Sequence, residues 1–260
     1  MSLLSIKDIK KVFPDQKIIV IVGRVGTGKT SIAKALADEL NGYAGFLDAA
    51  SWEFIIDSYK NEPKKLMDIY GVEELPVITD VNSAAGFYAE HMRIDSFPKL
   101  LDAAGRTADN IVVKEIVKRQ LFKKDSLAFS SGWESSGSIY ESCNTKNYIS
   151  IWEGITETRE LLELADIIIK LTSFPQETVN ESLVERQIKN FPSKEVLLEK
   201  INVANEVVDA RNKDLLQGLK VLQVPNNRDR SPDEVASDIA RYFYLSEKGP
   251  QLVNKNFCRF

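Results

Sequence analysis

Cysteine and histidine are nearly missing from this 260-residue chain. Two cysteines, Cys143 and Cys258, stand far apart, and His91 is the one histidine. With no Cys/His cluster at metal-ligand spacing, a zinc site is not expected, and two distant thiols make no disulfide framework. His91 falls in a helical segment, where a lone histidine is usually structural, so it is assigned no role. Charge of one sign is also scarce. Lys and Arg number 34 against 38 Asp and Glu, a formal net charge of -4. That balance offers no general attraction for nucleic acid, and no nucleic-acid partner is expected. No apolar run approaches the roughly 20 residues of a membrane span, so no membrane partner is expected. The first thirteen residues scatter Lys7, Lys10 and Lys11 among isolated aliphatics, which is no secretory signal pattern. A reducing, cytoplasmic setting is expected. There is no internal repeat and no low-complexity stretch.

What the chain does have is apolar content of 43% over a length suited to one large domain. A single domain over 1–260 is expected, in which 51–125 shapes a binding region and 175–216 forms a helical lid. Ile6, Ile9, Val12 and Phe13 sit at helical spacing, and Pro14-Asp15 ends that helix. Residues 17–22, Lys-Ile-Ile-Val-Ile-Val, form a continuous β-branched run, which suits a parallel strand buried on both faces. Residues 31–40 carry Ile32, Leu36 and Leu40 on one helical face, and Asn41-Gly42 stops the helix.

Further strands are expected at 44–48, 126–130, 148–152, 166–171 and 219–224. Helices are expected at 107–123, 158–165, 177–190 and 194–216, the last capped by Ser193, and from Pro232 to about residue 245. The alternation implies an α/β three-layer sandwich with about five parallel core strands and helices on both faces.

Between the first strand and its helix lies Gly-Arg-Val-Gly-Thr-Gly-Lys-Thr, residues 23–30. This matches the Walker A pattern in full, in the strand–loop–helix setting the motif requires. Gly23, Gly26 and Gly28 permit a backbone curl that aims N–H groups at a phosphate, and the following helix adds its positive end. The backbone of Gly23, Val25, Gly26, Thr27, Gly28, Lys29, Thr30 and Ser31 is therefore expected to line a nucleoside triphosphate. Lys29 reaches its outer phosphates, and the Thr30 hydroxyl ligates Mg²⁺. A guanine-type Asn-Lys-x-Asp run is absent, and so is an apolar strand ending in Asp-Glu. Both absences count against switch and motor proteins.

Three further passages resemble the small-molecule P-loop kinases, of the uridine, cytidylate, shikimate and deoxynucleoside monophosphate kinase type. Phe-Leu-Asp at 46–48 is similar to a second strand ending on an acid that faces the acceptor hydroxyl. Ile-Ser-Ile-Trp-Glu-Gly-Ile at 149–155 resembles their strand-plus-Glu-Gly element. Leu-Lys-Val-Leu-Gln-Val-Pro-Asn-Asn at 219–227 looks like their last strand and adenine loop. A short Glu-Thr-Arg-Glu-Leu-Leu-Glu run at 157–163 resembles an acid-x-Arg-x-x-x-Glu motif near the phosphates of phage-type deoxynucleoside monophosphate kinases.

The resemblance implies an ATP- and Mg²⁺-dependent kinase acting on a small-molecule acceptor, in which a homodimer is allowed. It implies Asp48 as proton acceptor, though a helix-cap aspartate reads equally well. It implies Glu153 as a Mg²⁺-water ligand or second base, against a strand-end ion pair. Arg159 and Arg186 would neutralise transferring phosphates, although Arg186 also suits a solvated helix face. Asn226 and Asn227 would contact adenine, or simply form a turn. Arg93 and Arg106 flank the acceptor region and carry no firm role. Trp133 and Trp152 either stack on a ring or fill the core. The rival class is a hydrolysing switch or motor with a macromolecular partner.

Overall fold

A computed structural model of the chain describes residues 4–48, 58–74, 97–121, 139–172, 184, 188, 192–226 and 229–247. A 3-10 turn, Ile6–Asp8, runs into α1, Ile9–Val12. Strand β1, Lys17–Gly23, leads through the glycine loop into α2, Lys29–Leu40. Then follow β2, Tyr43–Phe46; α3, Pro63–Tyr70; and α4, Phe97–Leu121. The second half holds β3, Ile139–Glu141; β4, Ile149–Glu153; α5, Arg159–Leu164; and β5, Ile167–Thr172. It closes with α6, Lys194–Leu215; β6, Val221–Pro225; and α7, Pro232–Glu247. None of the described helices is long and apolar enough to cross a membrane.

The sheet order is β3-β2-β4-β1-β5-β6. Five strands run parallel, as expected, and β3 joins antiparallel at the edge beside β2. The sixth strand corrects the expected count. At three residues it is too short to show any alternation in sequence. The expected strand at 126–130 and most of the expected helix at 177–190 lie outside the described residues. The helix expected at 107–123 starts ten residues earlier, at Phe97.

Burial follows the two-residue period of β1. Ile19 and Ile21 pack with Ile32, Leu36 and Leu40 of α2 and with Val235, Ile239 and Phe243 of α7. Ile18, Val20 and Val22 face the other way, onto Val112 and Ile116 of α4 and Leu161 and Leu162 of α5. A strand apolar on both faces can only sit in the middle layer of three. Trp152 is part of this core: it meets Tyr43 edge-on with ring centroids 6.0 Å apart. The basic helix α4 is not all solvated. Arg119 is buried, bonded to Glu115 at 2.6 Å and to Glu141, and its guanidinium lies 4.1 Å from the Tyr43 ring centroid.

Chain breaks follow their local chemistry. Asn41 takes the left-handed conformation (φ 54°) that ends α2, and the Gly42 N–H then bonds the Ala37 carbonyl at 2.7 Å. The Ser193 hydroxyl accepts from the Val196 N–H at 3.3 Å, the expected N-cap of α6. At α7, Ser231 and Glu234 satisfy each other's backbone N–H in a capping box.

Candidate functional site

Strand register brings the site together. Glu153 at the end of β4 is paired with Ile21 of β1 and with Phe46 of β2. Two residues past Ile21 the glycine loop begins, and two residues past Phe46 stands Asp48. Three carboxyl-end features of three neighbouring parallel strands therefore converge. β1 lies between β4 and β5, so the connections leave a crevice here, where open α/β sheets bind ligands.

The loop is tightly held. The Thr27 hydroxyl donates to the Arg24 carbonyl at 2.9 Å, and Asn226 Nδ2 donates to the Thr27 carbonyl at 2.7 Å. Gly26 and Gly28 stand at φ 85° and 84°, a region that side chains rarely enter. At Gly28 a Cβ would also lie 2.8 Å from Asn226 Nδ2. Lys29 is buried, and its ammonium bonds the carbonyls of Gly23 and Arg24 at 3.1 and 3.0 Å. The side of the loop that carries no glycine rests on α6. Asn205 Oδ1 accepts from the Val25 N–H at 2.9 Å, and Arg24 pairs with Asp209 at 2.5 Å. Val25 also packs on Val184, Leu197 and Ile201.

The acids form the other half. The Thr30 hydroxyl donates to Glu153 Oε1 at 2.8 Å. Asp48 Oδ1 accepts from the Ile155 N–H at 2.7 Å. Asp48 therefore does not cap a helix through this bond; it grips the segment after β4. Burial pushes the Asp48 carboxyl above its ordinary value, while Lys29, the Ile155 N–H and Arg211 pull it back. Burial raises Glu153 to about 7, opposed by the Lys29 charge and the Thr30 bond and reinforced by Asp48 and Glu157. Glu157 is buried and raised by burial, and its carboxylate oxygens have no hydrogen-bond partner in another residue. Arg211 Nη1 lies 3.7 Å from Glu157 Oε1, an ion pair without a hydrogen bond.

Lys29, Thr30, Asp48 and Glu153, expected from sequence, are thus brought together. Asn226 is also there, but its amide braces the loop instead of standing free to meet a ring. Arg159 is corrected. Its Nη1 caps the end of α6, donating to the carbonyls of Leu215 and Gln217 at 2.7 and 2.8 Å, and its Nε bonds Glu163. A guanidinium committed to three acceptors at a helix end is a C-terminal cap. Arg186, Asn227, Arg93 and Trp133 lie outside the described residues. Arg106 is exposed on α4 and lines a groove of about 440 Å³ with Lys65, Asp68, Ile69, Thr107 and Asn110. Ser31, on the first turn of α2, is exposed. Sequence reasoning missed Asn205, Asp209, Glu157 and Arg211. The three on α6 lie nearly two hundred residues from the loop, and no short motif marks them.

These residues fit a triphosphate with a divalent cation. Gly28 leaves room that any side chain would fill, Lys29 supplies a buried cation, and the loop ends on the positive terminus of α2. Among the described residues, no group of three or more His, Cys, Asp or Glu side chains is placed to hold a metal alone. One hydroxyl and one carboxylate, Thr30 and Glu153, suit magnesium, which keeps waters and takes phosphate oxygens for most of its shell.

The topology and the loop define a parallel α/β fold of the P-loop NTPase type. No known protein-family profile matches the sequence, and no curated protein does. Solved structures similar to this chain include a Thermus thermophilus protein (TM-score 0.47, 15% identity), covering 90% of this chain and 99% of that one. Another is the shikimate kinase from Acinetobacter baumannii in complex with shikimate (TM-score 0.42, 15% identity), covering 93% and 99%. A third is the dephospho-CoA kinase from Campylobacter jejuni (TM-score 0.35, 11% identity), covering 88% and 98%.

Proposed function

We propose that this chain is an ATP-dependent kinase that transfers the γ-phosphoryl group to a hydroxyl of a small metabolite. The observation that carries the reading is one juxtaposition. A half-buried carboxylate, Asp48, is fixed by the Ile155 N–H at the ends of the same strands that present Lys29 and Thr30.

Phosphoryl transfer asks a protein for positioning and charge neutralisation more than for covalent chemistry. Lys29 neutralises charge on the outer phosphates. Backbone N–H groups of residues 23–30 and the start of α2 orient them. Thr30 and Glu153 would hold Mg²⁺, which screens the charge that builds on the leaving oxygens. Asp48 accepts the proton of the acceptor hydroxyl as that oxygen forms its bond to the γ-phosphorus and the bond to ADP breaks. The raised Asp48 carboxyl is a better proton acceptor than an exposed aspartate. In this reading residues 51–125 would shape the acceptor pocket and 175–216 would serve as a helical lid. A small-molecule acceptor and a chain working in the cytoplasm belong to the same proposal.

The experiment is ADP release from Mg-ATP with a panel of nucleosides, nucleotides, sugars and polyols, repeated with Asp48→Asn. Acceptor-stimulated release that falls roughly 100-fold or more in the variant is the expected result. Release that ignores every small acceptor and rises with a macromolecule would overturn the reading and favour a hydrolysing switch or motor.

A further inference from the structure

All five residues of the segment 154–158, which joins β4 to α5, are buried. It is clamped from two sides. On one side Asp48 Oδ1 accepts from the Ile155 N–H at 2.7 Å, and the carboxyl rests so close to Gly154 that a Cβ there would lie 2.6 Å from it. On the other side stands Arg211 of α6. Its Nη1 donates to the Ile155 carbonyl at 3.1 Å and its Nη2 to the Glu157 carbonyl at 2.6 Å. Its Nε donates to Asp102 of α4 at 3.1 Å. α4 itself lies flush on the segment, because Gly105 leaves no Cβ where one would stand 2.8 Å from the Thr156 carbonyl.

Balancing the nearby Glu157 charge does not explain this geometry. A guanidinium whose task is to pair a buried carboxylate bonds it in a fork. Here the fork goes to two main-chain carbonyls, and the Glu157 carboxylate is left 3.7 Å away. Three donors in one plane reach two carbonyls and an aspartate on another helix. An ammonium has no such planar fork and cannot copy that pattern.

We propose that Arg211 is a positioning residue for Asp48: it fixes the Ile155–Glu157 main chain, and through the Ile155 N–H it sets where the Asp48 carboxylate stands. This rests on the reading of Asp48 as the group that takes the acceptor proton. Arg211 donates to two main-chain carbonyls and to Asp102, not to the Asp48 carboxylate. Its hydrogen bonds act through one amide, beside a direct pull of its charge that Arg211→Lys retains, and a displacement near 1 Å at such a carboxylate costs on the order of 100-fold in rate.

Two measurements on the full chain test it. The first needs no acceptor. The Ile155 amide proton, followed by NMR in selectively labelled protein, moves upfield in Asp48→Asn when the carboxylate bond is lost. It moves the same way in Arg211→Lys. An Ile155 amide that moves in Asp48→Asn but stays fixed in a folded Arg211→Lys overturns the proposal. The second is kinetic, with Mg-ATP and an equimolar pool of glycerol, ribitol, myo-inositol, ribose, adenosine and cytidine. Arg211→Lys is expected to lower kcat about 10- to 100-fold with nucleotide affinity within about twofold. In Asp48→Asn/Arg211→Lys the loss stays near that of Asp48→Asn alone, because both act on one carboxylate. Losses that multiply mark a merely structural arginine and overturn the proposal. If the unaltered chain shows no acceptor-stimulated turnover, the kinase reading fails with this pool, and the amide signal alone decides the role of Arg211. Should Arg211→Lys fail to fold, Asp102→Asn removes only the outer anchor, and a smaller upfield shift of the same amide is expected; an unmoved amide there counts against the proposal.

Discussion

Replacing Gly28 by alanine puts a number on how much the glycine loop depends on two separate features. The backbone at Gly28 stands at φ 84°, and a left-handed conformation costs a non-glycine residue roughly 1–2 kcal/mol. The new methyl would also lie 2.8 Å from Asn226 Nδ2, so the amide must withdraw from the Thr27 carbonyl it now bonds at 2.7 Å. A lost hydrogen bond of this kind adds about 1 kcal/mol. Together the loop's holding conformation is disfavoured by about 2–3 kcal/mol, a roughly 30- to 150-fold loss of Mg-ATP affinity. Calorimetric titration reads this directly. Asn226→Ala alone should lose only about 5-fold, since it forfeits the bond and keeps the glycine. The double variant should regain little over Gly28→Ala, because the backbone strain stays after the clash is gone. Gly28→Ala binding Mg-ATP as tightly as the unaltered chain would refute the reasoning, for then the positive φ is not a property of the binding loop.

Three other outcomes are expected. Arg159→Ala removes the cap on the end of α6 and should lower the urea midpoint by an amount equal to about 1 kcal/mol, discounted for its partial exposure, while turnover and Mg-ATP affinity stay unchanged; lost turnover in the folded variant would return this arginine to the reaction. Glu153, at 4.5 in an ordinary environment and raised by burial to about 7, makes the metal-free protein most stable below pH 4.5 as far as this group is concerned, and that stability is lost as pH rises through 7, on the order of 3 kcal/mol at most. Thermal melts in chelator from pH 5 to 8 should fall with pH, and a flat or rising series would show that Glu153 is not held neutral. Gly45→Ala would drive a methyl into the Trp152 ring in the buried sheet, and a loss of at least 1–3 kcal/mol in urea unfolding is expected; an unchanged midpoint would mean the ring has somewhere to go.

Much of the site was legible because it is local. The glycine loop is a run of eight consecutive residues, readable without the distant partners Asn205, Asp209 and Asn226 that brace it. The stops at Asn41 and Ser193 are legible for the same reason: Asn41 takes a left-handed backbone that ends its helix on the spot, and the Ser193 hydroxyl bonds the N–H three residues on. Asp48 and Glu153 were found as strand-end acids. What they do was not readable, because register, not sequence distance, brings Glu153 level with Phe46 and Ile21. Arg159 shows the opposite failure. A motif-like Glu-Thr-Arg run suggested phosphate contacts, yet its guanidinium turns to the end of a helix some fifty residues on. Short charged motifs specify little, since a long side chain finds the nearest unpaired carbonyls in whatever tertiary setting it meets.

By itself the sequence determined the buried middle strand, the loop that follows it and the layered α/β class, because β-branched runs and clustered glycines constrain the backbone wherever they occur. Tertiary structure alone decided which distant groups stand behind that loop. Asn205, Asp209 and Arg211 reach residues 24–25 and 155–157 only because α6 packs across the ends of the sheet, and the pKa of Glu153 exists only because folding removes it from water beside Asp48 and Glu157. Such placement is a sum of many weak packing terms spread over the chain, and no short stretch of residues encodes it.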